Sequence, residues 1–202
     1  MKISIIFLFL LCAQTLAQQS DTIFSTKILK CIYDTKLKYP RFIQYKLYKG
    51  GGDCDRSKFR FLSCDWTASN SDYINSGYDR GHLANAEDFA SDCGKESLTF
   101  WYYNVVPQTH IFNAGIFKKH ETLVRYDSQN DSLLIIYINT PSEDIIGRGV
   151  HKIKNTYKIV QSLSTKKILY CIRFTDEPNP KQEDCDIGTI TKESGVGFDI
   201  KR

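Results

Sequence analysis

The residues best suited to chemistry fall in three short groups between Tyr78 and Arg125. The first is Tyr78-Asp79-Arg80-Gly81-His82-Leu83, the second Asn104-Val105-Val106-Pro107-Gln108, and the third Asn113-Ala114-Gly115 leading on to Glu121 and Arg125. An imidazole such as that of His82 titrates near neutrality and can serve as a general base. The neutral amide oxygen of Asn113 suits magnesium, a hard cation that keeps most of its waters, and Glu121 can hold such waters from further out. Arg80 and Arg125 can give charge-assisted hydrogen bonds to phosphate oxygens. A base, a divalent cation and cationic donors together are what phosphodiester hydrolysis requires. Taken singly, each group has a plainer reading: a turn with a salt bridge, an asparagine helix cap, an ion pair four residues apart on a helix. Their ordered recurrence within one stretch favours the chemical reading.

The elements that would carry them follow from the apolar pattern. Asn113 to Tyr126 has apolar residues at Ile116, Phe117, Leu123 and Val124 and no proline, which predicts a helix. At about 100° per residue, Glu121 lies about 80° around from Asn113 and Arg125 about 40° further, so the three share one side; His120, about 20° from Asn113, reads as a space-filler on the buried stripe. Phe42 to Tyr48 alternates as a half-buried strand does, and Leu133–Ile138, Tyr157–Val160 and Ile168–Ile172 are short β-prone runs. Helix and strands mix without a regular β-α alternation, so the fold class is α+β.

The chain has 202 residues, with 27 Lys and Arg against 23 Asp and Glu, a formal charge of +4. That is mildly basic and exerts only a weak pull on polyanions. The basic-rich stretches Lys27–Lys49 and His151–Lys167 fit a solvated surface. Met1-Lys2, the apolar run Ile3–Ala13 and Thr15-Leu16-Ala17 predict a leader, 1–17, cleaved after Ala17. The run is shorter than the roughly 20 residues that span a bilayer, so no membrane anchor is expected. The expected setting is secreted or periplasmic. Outside the leader stand Cys31, Cys54, Cys64, Cys93, Cys171 and Cys185, an even number without C-x-x-C spacing. They predict up to three disulfides of open connectivity rather than a zinc site.

The three groups, in this order, resemble the DNA/RNA non-specific endonucleases of the ββα-metal (His-Me finger) superfamily, which includes endonuclease G. The family's Asp-Arg-Gly-His signature, preceded by Ser-Gly and an aromatic or apolar residue, is matched by Ser76 to His82; its Asn-x-x-Pro-Gln by Asn104 to Gln108; its Asn-x-Gly by Asn113 to Gly115. The family Glu eight residues on is Glu121, and the Arg four beyond is Arg125. Weaker similarity runs from Tyr39 to Ile200 and closes on a helix and a Gly-x-x-Phe turn. The chain departs from the pattern at Ala84-Asn85-Ala86, where several relatives have Ala-Pro, and at His120, where an apolar residue is usual.

The resemblance implies a central antiparallel sheet flanked by helices, with the site built from a β-hairpin and one crossing helix. It divides the chain into leader 1–17, N-terminal extension 18–38 and nuclease domain 39–202. It implies His82 as general base and Asn113 as the only direct protein ligand of Mg2+, which Mn2+ can replace. Glu121 would orient bound water and aid protonation of the leaving oxygen, Asn104 would support the site by hydrogen bonding as one of the catalytic set, and Arg80 and Arg125 would contact phosphate or the transition state. Arg56 and Arg60 both fit the family's upstream arginine loosely, and Arg60 is the expected substrate contact. The implied activity is sugar-non-specific endonucleolytic cleavage of DNA and RNA leaving 5′-phosphate ends. A nuclease fold that only binds nucleic acid, or a phosphodiesterase acting on small nucleotides, are the alternatives.

Overall fold

The computed structural model describes residues 20–196. The predicted leader and the Gly197-Phe198 end of the closing turn lie outside them. Seven antiparallel strands form the main sheet in the order β1 (Asp21–Ser25), β2 (Leu29–Asp34), β3 (Tyr39–Leu47), β6 (Leu133–Ile146), β7 (Val150–Ser162), β8 (Ile168–Thr175), β9 (Lys181–Asp184). The N-terminal extension therefore supplies two strands of this sheet. A separate two-stranded ribbon pairs β4 (Asp79–His82) with β5 (Val105–Gln108). The fold is α+β, as the mixed pattern predicts.

The middle strands are apolar on both faces because each face carries a core. Ile43, Tyr45, Leu133, Ile135, Tyr137 and Val160 pack on one side against Leu83, Val106, Phe112, Phe117 and Val124. Phe42, Ile136, Ile138, Tyr157 and Ile159 pack on the other against Ile190 of the helix Ile187–Ser194. Full burial of such a side chain is worth about 1.5–3 kcal/mol, so the sheet is held from both sides and the ribbon rests on a stiff floor.

The predicted helix 113–126 departs from regular geometry. A three-residue turn, His110–Phe112, runs into a π-helical segment, Asn113–Phe117, and then the α-helix Lys118–Asp127. Gly115 has φ −97° and ψ −113°, outside helical values, a conformation that a residue without Cβ reaches most easily. A π turn inserts extra chain into the helix, so a uniform angular count across 113–125 does not hold. His120 points away from solvent and meets the rings of Tyr170 and Phe174 edge-on.

One disulfide is formed among the described residues, Cys54–Cys93, where up to three were expected. The Cys31 thiol is buried against the Tyr103 carbonyl, and the Cys171 and Cys185 sulfurs are 2.9 Å apart, unbonded. No helix among the described residues is long and apolar enough to cross a membrane.

Candidate active site

The β4–β5 ribbon and the 110–127 helix meet at a cleft of about 750 Å³ lined by Arg80, His82, Asn113, Glu121 and Arg125, among others. The ribbon is locked in register, Asp79 opposite Gln108 and His82 opposite Val105. Gly81 is required by close approach: a Cβ there would lie 2.1 Å from Oε1 and 2.6 Å from Cγ of the buried Gln108 side chain.

His82 sits between Phe61 and Phe100, with ring centroids 5.2 and 4.8 Å away. Its Nε2 is buried and has no hydrogen-bond partner among the described residues. Burial, then Arg56, then Arg80 push its pKa down to about 3, so the imidazole is neutral near pH 7 and can accept a proton.

Asp79 orients Asn113. Its Oδ2 accepts from Asn113 Nδ2 at 2.9 Å and lies 2.9 Å from His110 Nδ1. An ionised carboxylate only accepts, so the amide nitrogen must face it and the Asn113 oxygen is left for the cleft. Asp79 belongs to the signature, yet spacing alone did not mark it as a positioning residue.

The opposite wall is a buried charge cluster. Glu121 is 7% exposed and Lys158, from the middle of β7, 1% exposed. Burial pushes Glu121 up to about 7, and Lys158 is the strongest influence opposing that. Burial likewise brings Lys158 down to about 8 against the pull of Glu121 and Asp88. Arg125 donates from Nε to Asp88 at 3.1 Å and from Nη2 to Asn85 at 3.2 Å. Tyr45 Oη donates to Asp88 at 2.7 Å. Two carboxylates thus face two cations, and the set is formally neutral.

Arg80 is exposed, donates to Asn70 Oδ1 at 2.7 Å and stacks 4.8 Å from the Phe61 ring centroid. Two of the expected residues stand outside the cleft lining. Asn104 is fully buried and outside the cleft lining; its amide accepts from Ala84 N and donates to the Ala84 and Thr99 carbonyls. It pins the backbone just after His82 instead of touching a reactant. Arg60 is also outside the cleft and bonds the Ser57 and Phe59 carbonyls. Arg56 lines the cleft instead, 5.8 Å from the Phe100 ring centroid. In so short an irregular stretch there is no period by which to choose between them. Lys158 was missed as well; its signal was a charge interrupting the apolar run Tyr157-Lys158-Ile159-Val160.

No group of three or more His, Cys, Asp or Glu among the described residues could cage a metal ion. The donors present are hard oxygens, one from the Asn113 amide and others from Glu121. That set fits a largely hydrated magnesium-like cation and does not fit zinc.

A histidine on a two-stranded ribbon and an asparagine on the crossing helix line one cleft, the arrangement that the resemblance to the ββα-metal class implies. The solved structure of the EndoG/EndoGI complex has the same fold, with a TM-score of 0.72 and 21% identity, covering 88% of this chain and 85% of that one. The profile of the DNA/RNA non-specific endonucleases matches residues 12–185, and the chain belongs to that family. The mitochondrial nuclease EXOG of Xenopus laevis is 26% identical over 83% of this chain and 49% of its own. Those of Danio rerio and Mus musculus are 33% and 34% identical over 46% of this chain, and 29% and 27% of theirs. The chain thus spans half or less of these relatives. Their mitochondrial names overturn the expectation of a secreted or periplasmic protein, which rested on the leader-like run and the even cysteine count.

Proposed function

We propose that the chain is a magnesium-dependent endonuclease that hydrolyses DNA and RNA with little sequence preference. The observation that carries this reading is the unpartnered Nε2 of a neutral His82 lining the same cleft as Asn113 and Glu121. His82 Nε2 takes a proton from the attacking water. Asn113 would hold Mg2+ through its amide oxygen, oriented by Asp79, and Glu121 would hold the surrounding water. When bound, the cation neutralises charge developing on the phosphate. Glu121, with a pKa near 7, can hand a proton to the departing 3′ oxygen, which leaves a 5′-phosphate. Arg80 and Arg56 reach phosphate oxygens from the ribbon side, and Arg125 acts from its bond to Asp88. Family membership supports the nucleic-acid substrate, and the relatives' names support a mitochondrial setting in place of export.

The test is one digestion panel. Plasmid, single-stranded DNA and RNA should all be cut in Mg2+ or Mn2+, activity should stop in EDTA, and end-labelling should find 5′-phosphates. Hydrolysis of a dinucleotide ester alone would mean a small-nucleotide phosphodiesterase, and binding without cleavage an inactive relative; either result overturns the proposal.

A further inference from the structure

A second concavity of about 500 Å³ adjoins the cleft. The short turn Ala86–Phe89 is the shared wall: Asn85, Ala86 and Glu87 line the cleft, while Asp88, Phe89 and Ser91 line the groove. The other side is built by the β1–β2 turn and the end of β3. Lys27, Lys30, Lys46 and Lys95 all line it, with Tyr48 beside them.

The electrostatics are one-sided. Lys95 lies 3.3 Å from Asp92, whereas Lys27, Lys30 and Lys46 are exposed and have no carboxylate within ion-pair distance among the described residues. The groove's own carboxylate, Asp88, is already engaged by Arg125 and Tyr45. The floor is apolar, from Ile28 and Phe89 among others, and Tyr48 is 60% exposed. Unpaired cations beside an exposed aromatic are the features that bind single strands, the cations tracking phosphates and the ring stacking on an unpaired base. Bases in a duplex are already stacked and offer that ring little.

We propose that this groove is a binding track for single-stranded nucleic acid, holding the strand that runs on from the scissile bond across the Ala86–Phe89 wall. Lys27, Lys30 and Lys46 contact successive phosphates, and Tyr48 stacks on a base. The inference rests on the nuclease reading for what lies in the cleft, but the groove's binding can be measured without turnover.

The experiment uses the Lys27→Gln/Lys30→Gln/Lys46→Gln variant and, separately, Tyr48→Ala. Binding of a long single-stranded DNA and its RNA counterpart is followed in EDTA at several salt concentrations, with a duplex of the same length as control. Three lost phosphate contacts should make the log-affinity against log-salt plot shallower by about two for single strands, and weaken binding about ten-fold or more at low salt. Tyr48→Ala should weaken single-strand binding by roughly five-fold or more and leave duplex binding unchanged. In Mg2+, kcat/KM on a tetranucleotide, too short to leave the cleft, should match the parent protein in both variants. An unchanged salt slope overturns the proposal, as does equal loss on tetranucleotide and long strand. Duplex binding lost as strongly as single-strand binding overturns the single-strand assignment. A parent protein that binds with the expected slope but cuts nothing would sink the nuclease reading and leave the groove standing.

Discussion

The two walls of the cleft handle buried ionisable groups in opposite ways. On the ribbon side His82 is packed between two phenyl rings with cations nearby, so burial and charge act in one direction and hold it neutral. On the helix side Glu121 is buried too, yet Lys158, Arg125 and Asp88 surround it with near-balanced charge. Its pKa stays near 7, where one carboxyl can serve in both protonation states. The first wall keeps an imidazole neutral by burial and like charge; the second keeps a buried carboxyl titrating near neutrality by matching it with cations. The first needs a few neighbours, the second several elements held at once.

The largest effect expected from this contrast is at His82. His82→Ala should lower turnover roughly 10²–10⁴-fold, the usual worth of a general base, while thermal unfolding stays close to the parent's because the ribbon wall has no buried counterion to strand. Near-normal turnover would remove His82 from the mechanism, and a collapse of stability would erase the distinction between the walls.

Stability should respond most on the other wall. Lys158→Met leaves Glu121 and Asp88 facing one cation, and breaking a buried charge set this way costs about 3–5 kcal/mol. Urea unfolding should show that loss, and Glu121→Gln added to Lys158→Met should restore much of it. A single variant as stable as the parent would mean that the wall is not held by charge balance.

The smallest effect is in pH dependence. His120 and His82 both have folded pKa values near 3, below their ordinary 6.5. The stability each lends is complete above pH 6.5 and is lost as pH falls toward 3, because the unfolded chain takes up the proton first. Glu121, raised from 4.5 to about 7, works the other way, since the folded chain holds its proton and stability declines as pH rises through that window. His120→Phe, which keeps an aromatic ring beside Tyr170 and Phe174, should remove about one proton from uptake on unfolding near pH 5, a slope change of about 1.4 kcal/mol per pH unit. An unaltered slope would mean that His120 titrates freely.

The ribbon wall was legible because its chemistry is contiguous: Asp79, Arg80, Gly81 and His82 are neighbours in the chain. Asn113, Glu121 and Arg125 were legible for a related reason, lying within one helical stretch, although the π turn at Gly115 breaks the phase on which their angles were counted. Lys158, Asp88 and Tyr45 come from β7, the 86–89 turn and β3, and only folding brings them together. Asn104 shows a different limit. Its place in a motif is visible, but whether a buried amide faces a reactant or clamps a backbone depends on what surrounds it. The strands were legible as apolar runs, whereas the two-sided core appears only once the helix Ile187–Ser194 is seen to cover the second face.

The packing of Gln108 over Gly81 bears on how such a sequence can vary. Any side chain at 81 would collide with Gln108, and Gln108, being buried, has little room to yield. Substitution at 81 is therefore conditional on the occupant of 108, and a lineage changing the first before shrinking the second passes through a distorted ribbon. The two positions form one heritable unit split across two motifs. In descendants of this chain a side chain at 81 should appear only where position 108 has already become smaller.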